Sequence, residues 1–252
     1  MASNESWESP AAGEARLTLA RNELENALLT ERSLTEDLKR LTELACQLVT
    51  DCSGGSVSML IDGSPTTVAV SDRVALQLDL VQYDQGEGPC VTALGGETVR
   101  IGYVPCDQRF PSFAIGAADR RVLSVLSTPA IDHGVTVGSL NLYSRKRGAF
   151  DDTDRNIAAI ITVEIADAMM HSALLHTGAD VRERLQRQHD ENVLVARAEG
   201  ALAASQHCSS TQAETLIRNA AEQNREAMIT TAERILGTVR DPSSSEPPAD
   251  TV

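Results

Sequence analysis

The sequence predicts an α+β protein: a sandwich of an antiparallel sheet and helices, flanked by a long N-terminal helix and followed by a C-terminal three-helix module. Three observations carry this. From Glu14 to Ser53 there is no glycine or proline, and apolar residues recur at alternating steps of three and four. Between residues 56 and 143, short apolar runs alternate with turn signals. After Asp151 the helical period returns, with Gly178 as a break in it.

The elements follow in order. Residues 1–13 are a polar lead-in with Pro10 and Gly13, expected to be disordered. Residues 14–35 form an N-terminal helix. Its seam (Leu17, Ala20, Leu24, Ala27) continues through Leu34, Leu38, Leu41, Ala45 and Leu48 and is broken once, at Glu31. Ser33-x-x-Glu36 offers a capping box that starts a second helix. The seam reads as a coiled coil pairing two chains, since it is longer than one small domain usually covers; the alternative is one helix packed on a sheet of its own chain.

A sheet-and-helix domain is expected over residues 36–175. Ser56–Asp62 reads as a strand, then a turn at Asp62-Gly63-Ser64-Pro65 and a strand over Thr66–Val70. Asp72–Leu80 reads as a short helix, Tyr83–Cys90 as a loop, Thr98–Ile101 as a strand and Val104–Phe113 as irregular. Val122–Ile131 and Val135–Tyr143 are apolar strands joined by the hairpin signal Asp132-His133-Gly134. Asp151–Asp154 supplies acidic caps to a long helix whose inner stripe is Ile157, Ile160, Ile161, Ile165, Ala168 and Met169. Residues 176–239 form a helical linker and three short helices, and residues 240–252, rich in proline and serine, are expected to be disordered.

Composition bounds the function. No apolar run approaches the roughly 20 residues that span a bilayer. The start of the sequence shows no secretory signal, so a cytoplasmic location is expected. The net charge of −14 argues against a general nucleic-acid binder. The charge is uneven: residues 1–80 hold 13 acidic and 6 basic residues, whereas residues 181–240 hold 8 of each. The five cysteines (46, 52, 90, 106 and 208) are odd in number and lack a Cys-x-x-Cys pair, which argues against a disulfide framework. Cys46, Cys52 and Cys208 read as buried thiols, and Cys90 with Cys106 as the pair to test as a thiol switch. The histidines show no metal spacing, and no nucleophile–base constellation, P-loop or dinucleotide fingerprint stands out. No catalytic residue, metal or cofactor is assigned.

The C-terminal segment reads Val195-x-x-Ala198-x-Gly200-x-Leu202, then Ala213-x-x-x-Ile217-x-x-x-Ala221, then Met228-x-x-x-Ala232. This order of small and apolar residues resembles the ANTAR domain, an RNA-binding module of transcription antitermination regulators. Upstream, Gly86-Glu87-Gly88-Pro89-Cys90 and the strand Val137–Ser144 resemble the GAF sensor domains often found before ANTAR modules. The resemblance covers roughly residues 36–239. It implies a non-enzymatic regulator, controlled by a sensor and holding hairpins of a nascent leader RNA.

The RNA-binding candidates are Arg197, Arg218, Arg225 and Arg234, whose guanidinium groups can bind phosphate and stack on splayed bases. The alternative for each is pairing with a nearby acid, such as Arg218 with Glu222. Three positions depart from the family's basic and aromatic pattern: Glu199, Glu214 and Ala227. Glu199 is read as exposed and tolerant of lysine. Gly200 is read as allowing another helix to approach. A small-molecule pocket in the sensor would be lined by Tyr83, Cys90, Tyr103, Phe110, Phe113 and Arg121. A homodimer is expected. Two alternatives stay open: a protein-interaction or dimerisation module with a degenerate ANTAR fold, and a GAF-domain redox enzyme.

Overall fold

The computed structural model describes residues 10–27, 33–175 and 178–240. The chain divides into two compact units between Gln186 and Arg187. The proposed break at Glu31, most of the lead-in and nearly all of the C-terminal tail lie outside the described residues.

The first unit opens with helix α1 (Pro10–Ala27), which begins inside the expected lead-in. Helix α2 (Leu34–Leu48) starts at the expected capping box: Ser33 N–H donates to the Glu36 carboxylate at 3.0 Å, and Glu36 N–H donates to Ser33 Oγ at 3.4 Å. Leu38, Leu41 and Ala45 of α2 are buried with Ala20 and Leu24 of α1 in one core, alongside the sheet and helix α6 (Asp152–Leu175). These five residues of the seam are therefore covered inside their own chain. An amphipathic stripe specifies that a face is covered without saying by what, and here the sheet and α6 cover it.

The sheet holds five antiparallel strands in the order β2-β1-β5-β4-β3. They are β1 (Gly54–Ile61), β2 (Ser64–Val70), β3 (Val99–Ile101), β4 (Ser124–Asp132) and β5 (Val135–Ser144). Both hairpins close on two residues with positive φ: Asp62 and Gly63 at 51° and 79°, His133 and Gly134 at 45° and 82°. That is the turn whose twist matches paired strands. Alternation along the strands then separates two faces. Val57, Leu126, Leu140 and Leu142 join the α1–α2–α6 core. Ser56, Ser58, Ser139, Asn141 and Tyr143 lie on the other face, against α3 (Arg73–Gln85) and α4 (Pro89–Leu94).

Helix α5 (Pro111–Asp119) occupies part of the stretch expected to be irregular. Pro111 sits at its first position, where the missing N–H costs nothing. It closes a smaller apolar cluster of Phe113, Ala117, Val104, Ile101 and Val125. Helix α6 buries Ile157, Ile161, Ile165 and Met169, with Ile160 and Ala168 beside them, as its periodicity predicts. At its start the Asp154 carboxylate accepts from the N–H of Thr50 (2.9 Å) and of Asp151 (3.0 Å) and pairs with Arg16.

The second unit is helical. Helix α7 (Gly178–Gln206) contains the boundary between the units. Helices α8 (Ser210–Asn224) and α9 (Met228–Arg240) follow. Helix α8 is capped by Ser209-x-x-Gln212, with reciprocal bonds of 2.9 and 3.2 Å. Val195, Ala198, Ile217 and Ala232 form the buried centre, with Leu202, Met228 and Ile235 packed around them. No described helix is long and apolar enough to cross a membrane.

Candidate functional site

In the first unit, polar side chains converge on one face of the sheet. Asp79, Gln82 and Tyr83 are spaced along one side of α3, which runs to Gln85 and so carries Tyr83 on a helix rather than in the expected loop. Asp79 is completely buried. Its carboxyl accepts from Tyr143 Oη–H at 2.7 Å and Thr67 Oγ–H at 2.9 Å. Tyr83 donates to Ser58 Oγ at 2.7 Å and lies 2.9 Å from the Thr67 hydroxyl. Asn141 Nδ2 donates to Ser56, Ser58 and Cys90, at 3.2, 3.1 and 3.2 Å.

Gln82 joins the helix to the glycine-rich loop. Its Oε1 accepts from Cys90 N–H at 2.7 Å. Gly88 has φ of 142°, and a Cβ there would lie 2.4 Å from Gln82. Gly88 is thus glycine for its backbone angle and for the space Gln82 fills, and no phosphate needs to be invoked. Cys90 is buried, with its Sγ 3.2 Å from Ser58 Oγ.

Burial sets the ionisation of the cluster. It pushes the Asp79 carboxyl up to about 6, although hydroxyl donors partly offset this. It raises the phenols of Tyr83 and Tyr143 well above their ordinary value and the Cys90 thiol to about 12. Cys90 is therefore protonated at neutral pH and a poor nucleophile. Asn141 Oδ1 and Ser127 Oγ, on residues directly opposite across β4 and β5, have no hydrogen-bond partner among the described residues.

Of the six residues expected to line one pocket, the structure brings together Tyr83 and Cys90. Phe113 is buried in the separate apolar cluster, and Phe110 lies at its edge with Arg109 5.4 Å from its ring. Tyr103 is stacked 4.4 Å from Arg147, and Arg121 is exposed, in a left-handed backbone conformation. Nor do Cys90 and Cys106 form a switch pair: Cys90 is buried in the network and Cys106 is exposed. The sequence reading missed Ser58, Asp79, Gln82 and Tyr143. Its available signal was the alternation Ser139-x-Asn141-x-Tyr143, a polar row within a strand otherwise read as apolar.

In the second unit, all four candidate arginines are exposed. Arg218 is paired with Glu214, not with Glu222, and Arg234 with Glu226 at 2.7 Å. Arg197 on α7 and Arg225 at the end of α8 make no ion pair among the described residues. Two expectations fail here. Glu199 is completely buried, not exposed. A Cβ on Gly200 would meet nothing within 4 Å, so close packing does not explain that glycine.

The comparisons with known proteins match this division. A GAF domain family model covers residues 31–170, and an ANTAR domain model covers residues 183–236. The chain belongs to the GAF–ANTAR family. Its domain pairing is that of a sensor joined to an RNA-binding regulatory module. No curated protein matches the sequence. Among solved structures, the GAF domain of a phosphoenolpyruvate-protein phosphotransferase from Coxiella burnetii is similar, with 16% identity and a TM-score of 0.51 over 64% of this chain and 96% of that one. The GAF domain of the Acinetobacter phosphoenolpyruvate-protein phosphotransferase is 12% identical, with a TM-score of 0.50 over 65% and 98%. At these identities the likeness shows the fold of the first unit.

Proposed function

We propose that this GAF–ANTAR protein regulates transcription antitermination by holding RNA hairpins of a nascent leader through its C-terminal unit, under control of the GAF domain. The observation that carries this reading is the ANTAR match over a unit whose small residues Ala198 and Ala232 are buried at its centre, with Arg197 and Arg225 exposed and not engaged by described carboxylates. The action is non-catalytic. In support, the thiol lying among polar partners in the GAF domain, Cys90, is buried and held protonated.

Two observations favour a second reading, in which the ANTAR fold serves as a protein-interaction module. Glu199 is buried, and Arg218 and Arg234 are already occupied by carboxylates. The test is a titration of hairpin RNA at several salt concentrations. With roughly three phosphate contacts to single-stranded loops, the log–log slope of affinity against salt is expected near −2. Arg197→Ala should weaken binding and flatten the slope by roughly 0.7. Absence of salt-dependent binding would leave the interaction-module reading standing.

A further inference from the structure

Cys46 and Cys52, on either side of the turn between α2 and β1, lie outside the buried network. Cys46 is in the last turn of α2, and Cys52 is two residues before Gly54. Both sulfurs are held at the first two residues of β1. Cys52 Sγ–H donates to the Gly54 carbonyl at 3.4 Å. Cys46 Sγ lies 3.2 Å from Ser71 Oγ, which in turn accepts from Gly55 N–H at 2.8 Å. A Cβ on Gly55 would stand 3.1 Å from the Cys46 sulfur, so that sulfur rests against the glycine backbone. Both cysteines are half-buried, whereas Cys90 is buried.

We propose that Cys46 and Cys52 form a redox-active dithiol that a hydroperoxide closes to an intramolecular disulfide. The two thiols have unequal roles. Cys46 is drawn below the ordinary thiol value, first by its hydrogen-bonding interaction with Cys52 and further by Ser71, against burial and the carboxylates of Asp72 and Glu43. Cys52 is pushed the other way, first by the same hydrogen bond and then by burial. Cys46 is therefore the attacking sulfur. Its thiolate attacks the peroxide oxygen, the O–O bond breaks, and Cys46 becomes a sulfenic acid as an alcohol or water leaves. The Cys52 thiol then attacks that sulfur, the S–S bond forms and water departs with the thiol proton. In total, two thiols and one hydroperoxide give one disulfide, one alcohol and one water. Exchange with an external thiol reopens the pair.

The turn that the disulfide would close is joined to the start of α6 through Thr50 and Asp154, and Arg16 of α1 donates to the Leu48 carbonyl at 3.2 Å within it. Oxidation would stiffen a joint where α1, α2 and α6 meet.

The full-length protein, reduced and then treated with a slight excess of hydrogen peroxide without denaturant, provides the test. Alkylation and peptide mapping should find Cys46 linked to Cys52, with the mass lower by two hydrogens and restored by a dithiol reductant. In Cys52→Ser, Cys46 should be trapped by dimedone as a sulfenic acid. In Cys46→Ser, Cys52 should remain alkylatable. The wild-type map needs no variant to fold. Recovery of both thiols in alkylated form after peroxide treatment of wild type would overturn the proposal, as would oxidation at Cys106 that leaves Cys46 untouched.

Discussion

One face of the GAF sheet is covered by α1, α2 and α6 through leucine, isoleucine and alanine, whereas the other meets α3 and α4 through hydroxyls, an amide, a thiol and a carboxyl. Both faces are buried, yet they are specified differently. On the apolar face, free energy follows area, roughly 25 cal/mol per Å², and a swap that conserves volume costs little. On the polar face each group depends on a named partner. A hydrogen bond there contributes only about 0.5–1.5 kcal/mol net, but an abandoned buried partner costs about 1–3 kcal/mol. Stability alone does not require such a network, since apolar packing can fill the same space.

The largest break in this comparison is expected on the apolar face. Leu38 is completely buried. Leu38→Ala should cost about 2–5 kcal/mol, the range for removing a buried leucine side chain. Leu38→Glu combined with Leu41→Glu should abolish cooperative unfolding outright. If the seam instead paired two chains, light scattering would show a folded monomer. Circular dichroism and scattering on the same sample separate these outcomes.

A smaller, pH-dependent effect belongs to the polar face. Asp79 titrates near 6 in the fold against an ordinary 3.8. Because the folded value is raised, the neutral acid favours folding. That contribution is complete below pH 3.8, declines between pH 3.8 and 6, and is gone above. The difference is about 3 kcal/mol. Asp79→Asn should remove this dependence, leaving the variant more stable relative to wild type at pH 8 than at pH 4. Urea midpoints of both proteins across that range test it, since the remaining carboxylates cancel in the difference. Parallel curves would mean that Asp79 is not the titrating group.

The two faces were unequally legible in the sequence. The hairpins were readable because Asp62-Gly63 and His133-Gly134 place their turn chemistry in the local sequence. The α6 stripe was readable because its period spans several turns. The partner of the N-terminal seam was not readable, because Leu38 and Leu41 are the same whether they meet another chain or their own sheet. Helix α5 was hidden by Pro111, a breaker in a helix interior but a starter at its first position. The polar network escaped because Asp79 and Asn141 lie 62 positions apart and meet only through the fold. Glu199 escaped for a statistical reason: a carboxylate on an amphipathic helix is almost always exposed. Its burial also changes what Glu199→Lys would do, since a buried ammonium burdens the second unit before any phosphate is met.

The smallest effect is expected at the centre of the polar face. Cys90 is buried among Ser58, Tyr83, Ser139 and Asn141, at 3.2, 3.9, 4.0 and 3.2 Å. The contacts to Tyr83 and Ser139 are long and weak, so the bonds to Ser58 and Asn141 are the ones a substitution has to replace. Cys90→Ser keeps a donor and an acceptor at the same branch point. The shorter oxygen leaves a gap but makes stronger bonds where neighbours can follow it. The two effects oppose each other, and a net change under about 1 kcal/mol is expected. Cys90→Val fills the volume but removes the hydrogen bonds to Ser58 and Asn141 and should cost more, about 0.5–1.5 kcal/mol for each bond lost. The order of these two substitutions carries the argument. If Val is tolerated better than Ser, volume governs this face as it governs the other, and the contrast between them collapses. If Ser is tolerated better, hydrogen bonding specifies the site, and Asn141 Oδ1 and Ser127 Oγ, without a partner among the described residues, mark where it still has capacity to accept a bond.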